Sequence, residues 1–257
     1  MANNADSQVI HAPVLDWSTT PLENIYAGHY VKIIDHLFTA EECAALIKLA
    51  ESDAEWQQAA VHYGIGKDKS YVDTEYRNSE RILRFDHTAA EQLYQKLLPY
   101  VQELVEIKNG SPWEGIVGSR GHIAGKWKMI GHVQISPSLR SYSKKITLFP
   151  RINERLSFLR YGKGNFFRPH TDGQLNLPDG RKSRVTIQIY LGEDGVEGGA
   201  TRILGTNSKY FDVEPKKGRV LIFQQRGIYH SGEEVTKGVK YAIRSDILFR
   251  QVLDEED

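Results

Sequence analysis

The sequence predicts a mainly β protein with flanking helices, an α+β fold in which an antiparallel barrel or jelly roll lies behind an N-terminal helical layer. The first observation is the order of the segments, because amphipathic helical segments precede Arg155 and short β-rich segments follow it. The second is the composition of the intervening turns, which are rich in Gly, Asp, Pro and Lys. Helices followed by runs of strands are typical of folds whose helices cover one outer face of an antiparallel sheet.

Capping signals and apolar stripes mark two helices. Thr39 with Glu42 three residues later predicts the start of the first, and Thr88 with Glu91 predicts the start of the second. Pro99 predicts a kink in the second helix. The stripes are Cys43, Leu46, Ile47 and Ala50 in the first helix and Leu93, Leu97, Val101 and Leu104 in the second. We expect both stripes to face the core.

The strand pattern continues to the end of the chain. The predicted strands are 31–38, 155–162, 184–193, 201–205, 210–215, 219–225 and 240–252. In the third of these, Val185, Ile187, Ile189 and Leu191 alternate with Thr186, Gln188 and Tyr190. One face is therefore aliphatic, while the other is polar but uncharged, which favours the lining of a wet cavity over an ordinary solvent-exposed face.

Composition and charge restrict the class of protein. Lys plus Arg and Asp plus Glu number 33 each in 257 residues, so the overall charge does not favour nucleic acid or an anionic membrane. No signal-peptide pattern or long apolar run is found, and we expect a cytoplasmic protein, with the nucleus as the alternative. Residues 1–29 are expected to form a flexible arm, 30–252 a single domain and 253–257 an acidic tail.

Residues of metal-binding type lie where a predicted strand enters a turn. His170 and Asp172 are two apart, so in extended backbone their side chains project to one side. His230, after the strand 219–225, is the candidate third ligand. Two His and one carboxylate are the facial triad of non-haem Fe(II) oxygenases, which leaves positions open for other ligands. A cysteine-based zinc site is excluded because Cys43 is the only cysteine.

Four ordered segments are the most distinctive part of the sequence. They are RYGKGNFFRPHTDG (160–173), EGGATRIL (197–204), VEPKKGRVLIF (213–223) and HSGEEVTKGVKYAI (230–243). Together they resemble the catalytic domain of the prolyl 4-hydroxylase group of Fe(II)/2-oxoglutarate dioxygenases, over about residues 31–252 and most strongly from Asn153 onward. The resemblance implies a double-stranded β-helix, or jelly roll, and oxidation of a substrate C–H bond with decarboxylation of 2-oxoglutarate to succinate.

The resemblance also implies roles for individual residues. The expected iron ligands are His170, Asp172 and His230. Lys240 is similar to the basic residue that anchors the distal carboxylate of 2-oxoglutarate. Tyr161 and Tyr190 occupy positions where related enzymes place phenols that hydrogen-bond this cosubstrate. The implied cofactors are Fe(II), 2-oxoglutarate and O2, with ascorbate as a further candidate.

Arg244 is the more individual feature, because most relatives have a neutral residue there. It shares a strand face with Lys240 and lies roughly 13 Å further along the strand. Three interpretations stay open: Arg244 neutralises a carboxylate of the primary substrate, braces the cosubstrate, or forms an ion pair with Asp246 or Glu154.

The segment 62–81 is a candidate lid over the mouth of the barrel. Within it, YRNSER resembles a stretch that relatives place near the pocket rim. Weaker candidate substrate contacts are therefore Arg77, Asn78 and Arg81. A solvated loop is the alternative interpretation of the whole segment.

Residues 132–151 look like an insertion. The surrounding segment 115–153 has seven Lys or Arg and no Asp or Glu, which by itself is a candidate basic patch for nucleic acid or an acidic partner. Deleting 132–151, however, joins GKWKMIG to INERLSFLRY and restores the pattern of the relatives. We therefore expect the insertion to lie outside the barrel.

The function predicted from these features is a dioxygenase that hydroxylates a small-molecule or amino-acid-like substrate. The alternatives are a prolyl hydroxylase of an intracellular protein, a nucleic-acid demethylase and a non-catalytic metal-binding jelly roll. The spacing of Arg244 and Arg250 is the one feature that favours the demethylase. Nucleic-acid and membrane partners are not expected, and the sequence leaves the oligomeric state open.

Overall fold

The computed structural model describes residues 12–62, 70–130, 132–137, 144–149, 152–192 and 195–253. For residue 62 and for 132–137 and 144–149 it describes the backbone alone. Within these ranges no helix combines the length and the apolar character needed to span a membrane.

Helices are concentrated in the first half of the chain and strands in the second. The helices are α1 (Glu23–Tyr26), α2 (Ala40–Glu51) and α3 (His87–Leu97), with short 3-10 helices at Trp17–Thr19, Leu98–Tyr100, Gln102–Leu104 and Glu114–Ile116. The strands before residue 150 are β1 (Val31–Ile34), β2 (Gln57–Gln58), β3 (Val61–His62), β4 (Ser70–Tyr71), β5 (Arg77–Asn78), β6 (Glu80–Phe85), β7 (Glu106–Lys108), β8 (Lys126–Met129), β9 (His132–Pro137) and β10 (Lys144–Phe149). The later strands are β11 (Arg155–Tyr161), β12 (Phe166–His170), β13 (Lys182–Tyr190), β14 (Glu197–Gly198), β15 (Thr201–Leu204), β16 (Tyr210–Val213), β17 (Val220–Gln224), β18 (His230–Gly232), β19 (Val235–Lys237) and β20 (Lys240–Val252).

Two antiparallel sheets form a jelly roll, as the strand pattern predicted. The major sheet has the order β1-β17-β13-β20-β11-β6-β2, with β8 paired further along β20 and β7 paired to β8. The minor sheet has the order β16-β15-β18-β12-β5. The segments β3-β4, β9-β10 and β14-β19 form separate two-stranded pairs. The predicted strands in the second half of the chain are confirmed.

The helical layer covers the outer face of the major sheet. The aliphatic side chains of β13 are fully buried, as the alternating pattern predicted; they are Val185, Ile187 and Ile189. They belong to one core cluster with the two predicted helical stripes, of which Cys43, Ala50, Leu93, Leu97, Val101 and Leu104 are buried. Burial of this apolar face holds the sheet and the helices together.

One predicted helix start is confirmed and one is wrong. Thr39 and Glu42 form the expected capping box of α2. The N-cap of α3 is Asp86 rather than Thr88, because the Asp86 carboxylate accepts a hydrogen bond from the backbone N–H of Ala89. At the other end, α3 stops at Leu97 and continues as a 3-10 turn that contains Pro99, so the expected kink is a helix end.

The expected flexible arm at 1–29 differs from the structure over residues 12–29. Three large side chains in this stretch are buried, namely Trp17, Leu22 and Tyr26. The Tyr26 hydroxyl also donates a hydrogen bond to the backbone oxygen of Leu204 at 2.6 Å. The segment is polar on average, but its few large apolar residues pack against the edge of the minor sheet. Residues 1–11, and the acidic tail beyond Leu253, lie outside the described residues.

Within the expected insertion, β9 and β10 pair with each other in antiparallel register from His132–Phe149 to Pro137–Lys144. Among the described strands, neither pairs with the major or the minor sheet.

Candidate active site

Two strands of the minor sheet bring three residues of metal-binding type together. His170, the last residue of β12, is paired with His230, the first residue of β18. Asp172 follows β12 by two residues. One ligand atom from each of these three side chains lies within 4.8 Å of the others, so that the group could hold a metal ion.

Both imidazoles are oriented through backbone carbonyls. His170 Nδ1 lies 2.7 Å from the oxygen of Arg168, and His230 Nδ1 lies 3.4 Å from the oxygen of Ile228. Because a carbonyl oxygen only accepts, each contact favours the tautomer with hydrogen on Nδ1 and leaves Nε2 available, as in many metal sites. Burial, followed by the neighbouring His230, lowers the pKa of His170 to about 3, so its neutral form prevails at neutral pH.

The carboxylate of Asp172 is held in its ionised form. Thr186 donates a hydrogen bond from Oγ1 to Asp172 Oδ2 at 2.6 Å. Arg244 Nη2 lies 3.3 Å from Asp172 Oδ1. Burial alone would raise the pKa of Asp172, but Arg244 and the two imidazoles outweigh it and hold this pKa well below its usual range.

A second layer of hydrogen bonds supports this carboxylate. Gln225 Nε2 donates to Asp246 Oδ1 at 2.8 Å and lies 3.3 Å from Thr186 Oγ1. Asp246 is also 3.2 Å from Arg244 Nη2. Sequence reasoning missed Gln225, although an amide directly after the apolar strand β17 was a usable signal. These contacts fix the rotamers of Thr186 and Arg244, and through them the position of Asp172.

The donor set fits a divalent ion such as Fe(II). It combines two neutral imidazole nitrogens with one carboxylate oxygen, a set that would leave coordination positions of such an ion open for other ligands.

A buried ammonium group lies on the same interior face. Lys240 is 2% exposed, and its Nζ donates to the backbone oxygen of Gly199 at 2.6 Å. The rings of Tyr161 and Tyr190 lie 5.1 and 5.5 Å from this nitrogen. Burial lowers the pKa of Lys240 to about 8, although the charges of Glu214 and Glu233 act in the opposite direction.

The predicted polar face of β13 does face the interior. The hydroxyl of Tyr190 donates to Thr201 Oγ1 at 2.7 Å, and Gln188 Nε2 donates to the same oxygen at 3.2 Å. Thr186, the third member of this face, contacts Asp172. Burial raises the pKa of Tyr190, so its phenol is a neutral hydrogen-bonding group.

Arg244 contacts the metal-binding cluster directly. It pairs with Asp172 and Asp246, whereas Glu154 is 3.6 Å from Arg181. Within the described part of the chain, the buried Nε of Arg244 has no hydrogen-bond partner. The ion pair with Asp246 was therefore a correct interpretation, and the contact with Asp172 adds to it.

The weaker candidates are separated by the structure. The guanidinium of Arg77 lies 4.5 Å from the ring centroid of Phe167, and that ring stacks on His170 at 3.7 Å. Arg81 is opposite Leu159 in the major sheet. Asn78 is opposite Phe166. Because side chains alternate along a strand, the side chain of Asn78 lies on the other face of the minor sheet from that of Arg77. The structure thus does not place Asn78 with the other candidates, and residues 63–69 of the expected lid lie outside the described residues.

Comparison with known proteins agrees with this geometry. Residues 156–245 match the 2OG-Fe(II) oxygenase superfamily. A solved prolyl-4-hydroxylase from Pseudomonas putida is 18% identical with a TM-score of 0.51, over 88% of this chain and 96% of that one. A prolyl hydroxylase from Trichoplax adhaerens, solved with a hypoxia inducible factor peptide fragment, is 14% identical with a TM-score of 0.51, over 88% and 85%. No curated protein matches the chain.

At these identities the solved structures establish the fold, and the superfamily match covers the strands that carry the metal-binding cluster and Lys240. The superfamily uses Fe(II), 2-oxoglutarate and O2. Residues 156–245 of the chain thus match a superfamily of oxidoreductases, and the fold of the chain is similar to that of solved prolyl 4-hydroxylases.

Proposed function

We propose that the protein hydroxylates a C–H bond of a small-molecule or amino-acid-like substrate, with His170, Asp172 and His230 as the iron ligands. The observation that carries this proposal is the two-His, one-carboxylate cluster on the same interior surface as a buried ammonium group flanked by two phenols. The metal-binding cluster supplies a facial triad, and the ammonium group with its two phenols is suited to bind a dicarboxylate.

In this proposal the side chains position the cosubstrate rather than react with it. Lys240 neutralises the distal carboxylate of 2-oxoglutarate, and the hydroxyls of Tyr161, Tyr190 and Thr201 hydrogen-bond it. Gly199 leaves room for this arrangement, since a Cβ there would be 3.3 Å from Lys240 Cδ. Fe(II) together with 2-oxoglutarate supplies the activation of O2. The overall reaction converts the C–H group, O2 and 2-oxoglutarate to C–OH, succinate and CO2.

Prolyl hydroxylation of a protein is the second candidate. The Trichoplax structure contains a peptide fragment, which supports a polypeptide substrate for a fold of this type. The buried Nε of Arg244, which has no hydrogen-bond partner in the described part of the chain, favours instead a substrate or cosubstrate group that accepts a hydrogen bond beside the metal-binding cluster.

The test is succinate formation from 2-oxoglutarate with Fe(II), ascorbate and O2, without substrate and with panels of amino acids, small metabolites and prolyl peptides. We expect turnover in the wild type, background levels in Asp172→Ala, and in Lys240→Ala a KM for 2-oxoglutarate higher by about tenfold or more. Stimulation by one panel member identifies the substrate class. Equal turnover in wild type and Asp172→Ala would contradict the assignment of the iron ligands.

A further inference from the structure

Four arginines converge on the interior beside the metal-binding cluster; this arginine cluster is Arg77, Arg81, Arg155 and Arg244. Three of them leave the same face of the major sheet. Arg81 is opposite Leu159 on β11, and Arg244 is opposite Ser157 on the same strand. Arg155 itself lies on β11, two residues before Ser157, so its side chain is on the same face as theirs. Leu159 is buried and packs with Phe167 of the minor sheet, so this face points between the sheets.

Arg77 approaches from the minor sheet. Its guanidinium lies over Phe167, whose ring stacks on His170, so that one aromatic layer separates it from the metal-binding cluster. The four charges are close enough to act on each other. Burial, followed by the charges of Arg77, Arg155 and Arg244, lowers the pKa of Arg81 to about 10. Burial also lowers the pKa of Arg155, with Arg244 as the next cause.

Among the described residues, only Arg244 of the arginine cluster forms ion pairs with carboxylates, although the charge of Asp246 also acts on Arg155, in the direction that raises its pKa. Arg244 pairs with Asp172 and Asp246. Arg77 donates from Nε to Ser79 Oγ at 3.1 Å and makes a longer contact with a backbone oxygen. In the same described ranges, no hydrogen bond or ion pair involves the guanidinium of Arg81 or Arg155.

Buried or partly buried positive charges are costly when no carboxylate pairs with them, and no ion pair is formed by Arg77, Arg81 or Arg155 among the described residues. A bound anion would pair with them. The guanidinium fork matches the oxygens of a carboxylate or a phosphate. The unpartnered Nε of Arg244 is a further donor at the same place.

Apolar surface adjoins these charges. Leu83 and Phe85 are opposite Ser157 and Arg155 in the sheet, so they lie on the same face as the arginines. They are 40% and 70% exposed, although both are large and apolar. An apolar group attached to the anion would cover them.

We propose that the primary substrate is an amphipathic anion, whose carboxylate or phosphate group is bound by the arginine cluster and whose apolar part lies against Leu83 and Phe85. This inference rests on the proposed function, because it takes the metal-binding cluster as the centre of reaction. The anion is distinct from 2-oxoglutarate, which Lys240 binds in that proposal.

The test is calorimetric binding to protein loaded with Mn(II), which blocks turnover, and saturated with 2-oxoglutarate, which occupies the Lys240 site. The probes are acids with neutral counterparts: octanoate and octanamide, 3-phenylpropanoate and 3-phenylpropanamide, phenyl phosphate and phenol. We expect at least one acid to bind about tenfold or more tightly than its counterpart. The better acid shows whether the cluster binds a carboxylate or a phosphate.

Charge variants show whether the preference is local. Arg81→Gln and Arg155→Gln should lose most of the preference for the acid over its neutral counterpart, and Arg155→Lys should keep part of this preference. The control Lys48→Gln, which removes an exposed charge on α2, should keep the full preference. Equal binding of every acid and its counterpart, or an equal loss in Lys48→Gln, overturns the inference.

Binding of 2-oxoglutarate to the Mn(II)-loaded wild type is measured first and separates the two proposals. If it binds and the acids show no preference, the substrate inference fails while the proposed function stands. If it does not bind, the proposed function fails and the substrate inference fails with it.

Discussion

At the scale of residues, Lys240 shows how burial tunes the site. An exposed lysine keeps its charge to high pH, but burial lowers the pKa of Lys240 to about 8. Its carbonyl partner, Gly199, accepts one hydrogen bond and supplies no negative charge. The ammonium therefore loses its proton in a range where the carboxylates of a cosubstrate are fully ionised.

This shift gives a pH dependence with a defined sign. Because the pKa is lowered, the charged form is lost as the pH rises through about 8, and we expect kcat/KM for 2-oxoglutarate to fall there by up to about tenfold per pH unit. Lys240→Arg keeps its charge, so its profile should stay flat to higher pH. An equal fall in both proteins would show that another group titrates.

The metal-binding cluster could be predicted from sequence because a two-residue spacing in extended backbone favours one side for His170 and Asp172, although β12 ends at His170 and Asp172 lies two residues beyond it. The partners of Asp172 could not all be predicted. Thr186 was assigned to the polar face from its alternation, but the bond from Gln225 to Asp246 depends on the register of separate strands. The alternation within a strand gives the face on which a residue lies, but not which residues of the separate strands are opposite each other.

At the scale of elements, the turn before β17 joins the sheet to the helical layer. Gly218 donates its N–H to Tyr190 O and accepts hydrogen bonds from Leu37 and Phe38. Its φ is +75°, and a Cβ there would lie 2.1 Å from the backbone oxygen of Phe38. Sequence analysis predicted both the strand and α2 but not this contact, since the two segments are far apart in the chain.

We therefore expect Gly218→Ala to lower the free energy of unfolding by more than the cost of placing an alanine in the left-handed conformation. The matched control is Gly110→Ala, since Gly110 has a φ of +79° with no atom within 4 Å of the added Cβ. The left-handed conformation costs about 1–2 kcal/mol in both variants, and the close contact adds to this in Gly218→Ala. Urea denaturation measures the difference, and equal free energies of unfolding would contradict the steric contribution.

At the scale of the whole molecule, the described residues that flank the expected insertion both contact the same strand, β20. The N–H of Ile130 donates to Leu248 O, and Ile152 bridges to Ile247. Thus β8 and β11 follow each other along the same edge of β20, and the chain leaves and returns at one point. We therefore propose that 132–151 is an insertion that the fold does not need. The N-terminal segment differs, because it was expected to be a flexible arm from its average polarity, yet its residues Trp17, Leu22 and Tyr26 are buried.

Two deletions test this difference. Joining residue 131 directly to Ile152 should change the Tm by only a few degrees, whereas a chain that starts at Tyr30 loses Trp17, Leu22 and Tyr26 from the core. Each of these side chains contributes roughly 1.5–3 kcal/mol by burial, so the second deletion should unfold far more easily. Thermal unfolding checks both. A stable N-terminal deletion, or an unfolded deletion of 132–151, would contradict the proposed organisation.

The most direct measurement is anaerobic titration of the Fe(II)-loaded protein with 2-oxoglutarate, followed by visible absorption. The proposed site predicts a new metal-to-ligand absorption band in the wild type, no band in Asp172→Ala, and a band that needs more 2-oxoglutarate in Lys240→Ala. This titration requires neither O2 nor the primary substrate. Absence of the band in the wild type, or an unchanged titration in Asp172→Ala, would contradict an iron and 2-oxoglutarate centre at His170, Asp172 and His230.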